Sequence, residues 1–490
     1  MTGRAAGVLL HVTSLPGPYG AGTLGREAHD FIDFLARAGR RWWQVLPLAP
    51  TGGGDSPYQS PSAFAGSPLL IDPDLLLEEG LLTEEACAAA QCGAPDRADL
   101  NWVKATRPVL LEAAFRCGKE RDREAQAQFS AENAAWLPAY VLFMALRERF
   151  GPLEGWPEEL RRRDGDAVSL WSERLSERTG FHTWVQFVFQ RQWDALRRHA
   201  RERGVRILGD VPIYVSGDSA EVWSRPELFR VDGSLRTTAE AGVPPDGFNS
   251  SGQTWGCPVY RWNAHAREGY AWWLARLRRA AALYDAARID HFRGLEAYWE
   301  IPPAAPAAEG RWRKGPGMGL LRAARRELPD FPLVAEDLGT LTPSAVAFIE
   351  ASGLPGMRVL VSAFEAGGAS SFLPHRIPEN AVVYTSTHDT PTFVEWLFSR
   401  ASEDERRFAV DYLRLREDEG FGWGAVCGAW QTAARLAVAP MQDILGLGAD
   451  ARMNAPGTVG GANWRWRVRP EALNAGVADR LRHITEVYGR

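Results

Sequence analysis

The chain has 490 residues, 45% hydrophobic and 24% charged, which is the composition of a globular enzyme and not of a disordered or fibrous chain. A net charge of −5 argues against nucleic acid or an anionic membrane surface as partner. No stretch approaches the roughly 18 apolar residues of a membrane span, and the first residues lack a signal core. The five cysteines (Cys87, Cys92, Cys117, Cys257, Cys427) form no CxxC pair and no Cys/His cluster. A zinc site and a disulfide framework are thereby disfavoured, and a reducing cytoplasm is the expected location.

Residues 7–15 (GVLLHVTSL) predict a strand, 25–38 an amphipathic helix with Phe31, Phe34 and Leu35 on one face, and 41–48 (RWWQVLPL) a second strand. Strand, helix and strand in that order make a βαβ unit with parallel pairing. Residues 50–68 are dense in Gly, Pro and Ser and predict a loop, with Asp55, Ser56, Tyr58 and Gln59 suited to hydroxyl recognition. Residues 74–180 are helical in pattern, clearest at 101–115 and 136–150, and predict a helical insertion subdomain. The barrel pattern resumes with a helix at 184–203 and a strand at 205–215 containing Asp210. A long loop, 216–263, carries Trp223 and Trp255; loops of this length act as lids or binding loops. Further strands are expected at 284–290, 332–336, 357–363, 381–387 and 436–441, most of them separated by helices.

Eight strands in this alternation predict a (β/α)8 TIM barrel, one catalytic domain over 1–490 with large helical and loop insertions after strands 2 and 3. Catalytic groups of such a barrel sit at strand C-termini. Three strands end in or run into carboxylates there: Asp290 after strand 4, Glu336 after strand 5 and Asp389 after strand 7. Arg288, His291 and Arg293 crowd Asp290, and cations favour its ionised form. Three acids at one mouth suit glycosyl chemistry: one attacks the anomeric carbon, a second, protonated, donates to the leaving oxygen, and a third binds hydroxyls. A retaining pair stands about 5–5.5 Å apart. The plainer alternatives are a structural salt bridge for Asp290, a turn cap for Glu336 and a helix N-cap for Asp389. His11, His291 and His388 lie in or beside strands and are expected to line the same pocket. Twenty tryptophans are a mild pointer to sugar rings, whose flat C–H faces stack on aromatics.

The ordered motifs LLHVTSLPGPYGAGTLG, SPYQSPSAFAGSP, GDVPIYV, DSAEVW, AGVPPDGF, ARIDHFRG, AEDLGT, LPGMRVL, YTSTHD, MQDILGLG, NAPGT and NWRWR resemble glycoside hydrolase family 77, the amylomaltase or disproportionating-enzyme family of the α-amylase clan, over nearly the whole chain. The resemblance implies retaining transfer of α-1,4-glucan segments, with Asp290 as nucleophile, Glu336 as acid/base and Asp389 as the transition-state-stabilising acid. It implies that Arg288 orients the nucleophile, that His291 and His388 line the donor-sugar subsite with Tyr58 and Asp210 around it, and that Trp255 reaches over the acceptor side. It implies no cofactor and no metal. The expected partners are maltooligosaccharides, amylose or other α-1,4-glucans, with glucose or maltose as acceptors. This chain departs from the family pattern at Thr390-Pro391, Cys257, Gly247 and Ser67, all in binding loops and none at the acids. Rival readings are a hydrolase of the same clan, a non-catalytic glucan binder and a metal-dependent barrel hydrolase.

Overall fold

Eight parallel strands close into a barrel in this computed structural model, which describes residues 3–93, 95–245 and 250–490. The barrel strands are β1 (Ala5–Leu9), β2 (Trp42–Gln44), β3 (Arg206–Val211), β6 (Ala286–Ile289), β9 (Leu333–Ala335), β10 (Gly356–Val359), β11 (Ala381–Tyr384) and β12 (Leu436–Pro440). The remaining four, β4 (Glu240–Val243), β5 (Gln253–Pro258), β7 (Ala297–Ile301) and β8 (Arg311–Lys314), form a separate antiparallel sheet in the order β5-β4-β7-β8. The chain is therefore a (β/α)8 barrel, and its eight barrel strands coincide with the eight expected from the sequence.

Barrel strands read as near-continuous apolar runs because helices cover one face and the barrel interior the other. β1 (AAGVL), β11 (AVVY) and β12 (LAVAP) are buried at every position. Gly209 in β3 has a specific cause: a Cβ there would collide with the Tyr284 ring, so only glycine lets this strand pass that side chain. Trp43 in β2 is fully buried, and its indole N–H is satisfied by the Leu10 carbonyl at 2.7 Å.

The stretch between residues 73 and 202 is helical, with the longest segments Leu100–Gly118, Leu137–Phe150 and Ser176–Glu202. The last is a single 27-residue helix. It starts eight residues before the helix expected at 184, and it runs through the expected insertion boundary at 180. Its residues pack against the helices Arg123–Glu132 and Leu137–Phe150 and also against the barrel helix Arg26–Arg37.

The 216–263 region differs from the expected loop, because β4 and β5 lie inside it as a hairpin. β7 and β8 were not anticipated either. Their sequences, AYWEI and RWRK, show no apolar run, because the sheet is half exposed and β8 is exposed throughout. Register places Thr254, Gly242, Trp299 and Trp312 side by side across the four strands, hence on one face. Asp246, Gly247 and Phe248 of the AGVPPDGF motif, including the departure at Gly247, lie outside the described residues.

Candidate active site

Strand register builds the site. β3 pairs with β6 so that Asp210 stands opposite Arg288, and β6 pairs with β9 so that Ile289 stands opposite Ala335. The next residues, Asp290 and Glu336, therefore leave neighbouring strands at the same level. Two backbone bonds continue the pairing past them: Glu336 N–H to Ile289 O at 3.1 Å and Phe292 N–H to Glu336 O at 3.0 Å.

Arg288 bridges two carboxylates. Its Nη1 lies 2.6 Å from Asp210 Oδ2 and its Nη2 lies 2.9 Å from Asp290 Oδ1. The Arg288 and Asp210 side chains are 5% and 0% exposed, whereas Asp290 is 25% exposed. The Arg288–Asp210 pair is thus sealed and the acid beside it is open. Of the three cations expected to crowd Asp290, only Arg288 pairs with it among the described residues. Arg293 turns away, donating from Nη1 to Thr340 O at 2.9 Å with its guanidinium over the Trp312 ring. His291 stays neutral, because burial first, then Arg293 and Arg288, push its pKa down to about 3.

Glu336 accepts two backbone N–H groups, from His291 at 2.7 Å and Leu338 at 3.0 Å. His291 delivers its N–H from a left-handed conformation with φ of 44°, unusual for a residue with a side chain. Burial raises the Glu336 carboxyl above the ordinary range; Arg288 opposes this and the Asp290 charge reinforces it. Burial raises Asp290 as well, but there Arg288 is in direct contact and works against it. Of these two acids Glu336 is the better proton carrier, since among the described residues no side-chain cation bonds to it as Arg288 does to Asp290.

Asp389 lies five residues beyond β11, on a loop held by a buried carboxylate. Asp443 accepts from Thr385 Oγ1 at 2.5 Å, Ser386 Oγ at 2.6 Å and Phe393 N–H at 2.7 Å. Burial by itself raises Asp389, but the charge and hydrogen bond of His388, the Asn454 amide and Arg288 together hold it well below the usual carboxylate range. Asn454 Nδ2 donates to Asp389 Oδ1 at 2.7 Å, and Arg452 Nη2 donates to the Asp389 carbonyl at 3.0 Å.

Tyr58 closes a circuit around the mouth. Its hydroxyl donates to Asp210 Oδ2 at 2.7 Å and lies 2.8 Å from His388 Nε2, which is 3.2 Å from Asp389 Oδ2. Asp389, His388, Tyr58, Asp210, Arg288 and Asp290 are thus joined in sequence by polar contacts. The Tyr58 ring stacks on His388 at 5.5 Å, and Trp464 tilts against both. His11 is buried, and burial and then the nearby His388 push its pKa down to about 3, so it too is neutral. On the other side the Trp255 ring meets His291 edge-on at 4.9 Å. The Trp255 carbonyl accepts from Gln59 Nε2 at 2.7 Å, tying the loop after β2 to β5.

The nine residues that the resemblance assigns to the site, and His11 beside them, therefore gather at one end of the barrel. Asn454, Arg452, Trp464 and Asp443 join them without having been singled out. A signal was present in the Gly-rich stretch 456–461 flanked by NAPG and NWRWR, which reads as a binding loop. Its target was not readable, since Asn454 contacts an acid 65 residues away. The three departures within the described residues are accommodated locally. Thr390 Oγ1 accepts the Thr387 N–H at 2.8 Å, Cys257 Sγ lies 3.6 Å from Gln59 Nε2, and Ser67 N–H donates to Leu48 O at 2.7 Å.

Known proteins share this arrangement of chain. A family model described as 4-alpha-glucanotransferase matches residues 10–473. A 4-alpha-glucanotransferase of Thermus thermophilus is 48% identical over 99% of this chain and 99% of its own. That of Aquifex aeolicus is 44% identical, again over 99% of each chain. Among solved structures, an amylomaltase from Streptococcus agalactiae in complex with acarbose superposes with a TM-score of 0.96 at 38% identity, covering 99% of both chains. An amylomaltase from Corynebacterium glutamicum, at 20% identity, shares the fold with a TM-score of 0.80 over 99% of this chain and 75% of its own. The chain belongs to the 4-α-glucanotransferases, glycoside hydrolase family 77.

Proposed function

We propose that the chain transfers α-1,4-glucan segments between maltooligosaccharides by a retaining, two-step displacement. In the first step an Asp290 oxygen bonds to C1 of a glucosyl unit as the C1–O4 bond breaks, and Glu336 gives its proton to the departing O4. In the second, the 4-hydroxyl of an acceptor such as glucose, maltose or a longer glucan attacks C1. The ester bond to Asp290 breaks, and the hydroxyl proton passes to Glu336. Asp389, ionised throughout, binds sugar hydroxyls and stabilises the positive charge that develops on the ring. Arg288 holds the nucleophile in line, and Tyr58, Asp210, His291 and His388 surround the donor sugar.

The observation that carries this reading is the placement of Asp290 and Glu336 on neighbouring strands in unlike surroundings. Neighbouring strands lie about 4.8 Å apart, which suits the spacing of about 5–5.5 Å in a retaining pair. Among the described residues only Asp290 of the two has an arginine bonded to it, so the two acids are pushed toward different protonation states, as a nucleophile and an acid require.

Incubation with maltotriose tests it. Glucose together with oligomers both shorter and longer than three units, without a net rise in reducing ends, is the expected outcome. Release of reducing ends in step with loss of substrate would indicate hydrolysis. Acarbose, carried by the related S. agalactiae structure, is expected to compete with the donor. The helices 74–180 and the 216–263 region are proposed as an insertion that frames the mouth and a lid that favours sugar over water. The five cysteines are all free, which supports a cytoplasmic location.

A further inference from the structure

The outer face of the four-stranded sheet carries an aromatic platform that the proposed chemistry does not use. Trp312 sits on the edge strand β8 and is 38% exposed. Its ring centroid is 5.0 Å from that of Trp299, the neighbour across β7, in an edge-to-face arrangement. The Arg293 guanidinium carbon lies 4.0 Å from the Trp312 ring centroid. Arg293 is 6% exposed, and its Nε and Nη2 find no hydrogen-bond partner among the described residues, where the indole face lies against the guanidinium. Lys314, two residues along the exposed strand and hence on the same face as Trp312, makes no ion pair among the described residues. An open indole with a free ammonium beside it offers a flat face for sugar C–H groups and a donor for hydroxyls.

Arg293 ties this platform to the catalytic mouth. It is three residues from Asp290, at most about 11 Å along the chain. Its Nη1 is held by the carbonyl of Thr340, four residues past Glu336. The platform is therefore tied to the loop after Glu336, the proposed proton donor to the departing chain. We propose that Trp312 and Lys314 form a distal subsite for the acceptor-side part of an α-1,4-glucan, reached by long chains and not by short ones. The proposal rests on the glucan-transfer reading and adds to it a preference for length.

Kinetics on maltotriose and on long amylose, for the wild type, Trp312→Ala and Trp312→Phe, test the proposal. The ratio of kcat/KM on amylose to that on maltotriose should fall about fivefold in Trp312→Ala, the worth of one aromatic stacking contact. The loss should lie in KM, and Trp312→Phe should restore more than half of the ratio. Trp312→Ala should also migrate faster than wild type in a native gel containing amylose. A ratio within twofold of wild type in both variants would overturn the proposal. So would an equal loss on both substrates, which marks general damage. Failure of the transfer reading shows separately, as simple hydrolysis of maltotriose by the wild type, and the gel comparison still reports on the platform in that case.

Discussion

Strand β12 of the barrel is LAVAP with every residue buried; strand β8 of the small sheet is RWRK with every residue exposed. The same backbone geometry serves opposite ends. The barrel strands are locked by packing on both faces, and a side chain at the end of such a strand inherits that rigidity. The small sheet has one covered face, an edge strand and a tip near the mouth, so its side chains remain available to a polymer. Chemistry should therefore answer to the barrel ends, and choice of substrate to the sheet and loops. In kinetic terms, changes at the strand ends should fall on kcat, and changes at the sheet and its ties on KM and on the partition between sugar and water.

The largest expected effect is at Asp290. Asp290→Asn should lower kcat by about 10³-fold or more while the circular-dichroism spectrum stays that of the wild type. Turnover within tenfold of wild type would break the division at its centre. Asn454→Ala comes next, since it removes a hydrogen bond to an ionised carboxylate, a loss of about 1.5–3 kcal/mol, or roughly 10- to 100-fold in kcat. The same change withdraws an interaction that depresses Asp389, so this carboxyl should titrate higher than in the wild type when followed by carbon NMR. An unshifted Asp389 titration would leave Asn454 with a purely structural part.

The pH profile of the wild type sharpens the comparison further. The proposed displacement needs Asp290 ionised and Glu336 protonated. Both carboxyls are raised by burial, so kcat/KM should rise and then fall at pH values above the ordinary carboxylate range. The alkaline loss follows deprotonation of Glu336, and it should vanish in Glu336→Gln, whose residual rate is about 10²- to 10⁴-fold lower. A flat alkaline side in the wild type would remove Glu336 as the proton donor. The smallest effect belongs to Gln59→Ala, which unties Trp255 from the loop after β2. About a threefold rise in acceptor KM, with a larger share of hydrolysis and kcat changed less than threefold, is the outcome expected from product analysis on maltotriose with added glucose.

The barrel was legible because burial on two faces writes itself into apolar runs such as AVVY and LAVAP, and because each acid directly follows such a run or a short extension of it. Register then did what pattern alone does not: it set Asp210 opposite Arg288 and brought Asp290 level with Glu336. The small sheet was illegible for the converse reason. AYWEI owes its pairing with EAGV to a partner 57 to 61 residues away in the chain, RWRK pairs with AYWEI at 11 to 17 residues but shows no apolar run, and EAGV carries no alternation at all. The assistants of Asp389 were missed on the same ground, since Asn454 and Asp443 act on a loop distant in sequence. Sequence adjacency overstates the cationic cluster around Asp290, because it does not say that Arg293 points the other way.

The helix Ser176–Glu202 belongs at once to the helical stretch and to the barrel. At about 1.5 Å per residue its 27 residues span roughly 40 Å. Its early turns pack against the helices that precede it, and its last turns deliver the chain into β3, where Asp210 lies. The helical stretch cannot be removed with it by a clean excision, because the cut would sever the support of a strand that carries part of the mouth. Natural variation in the region should accordingly take the form of trimmed or lengthened outer helices around a helix of constant length.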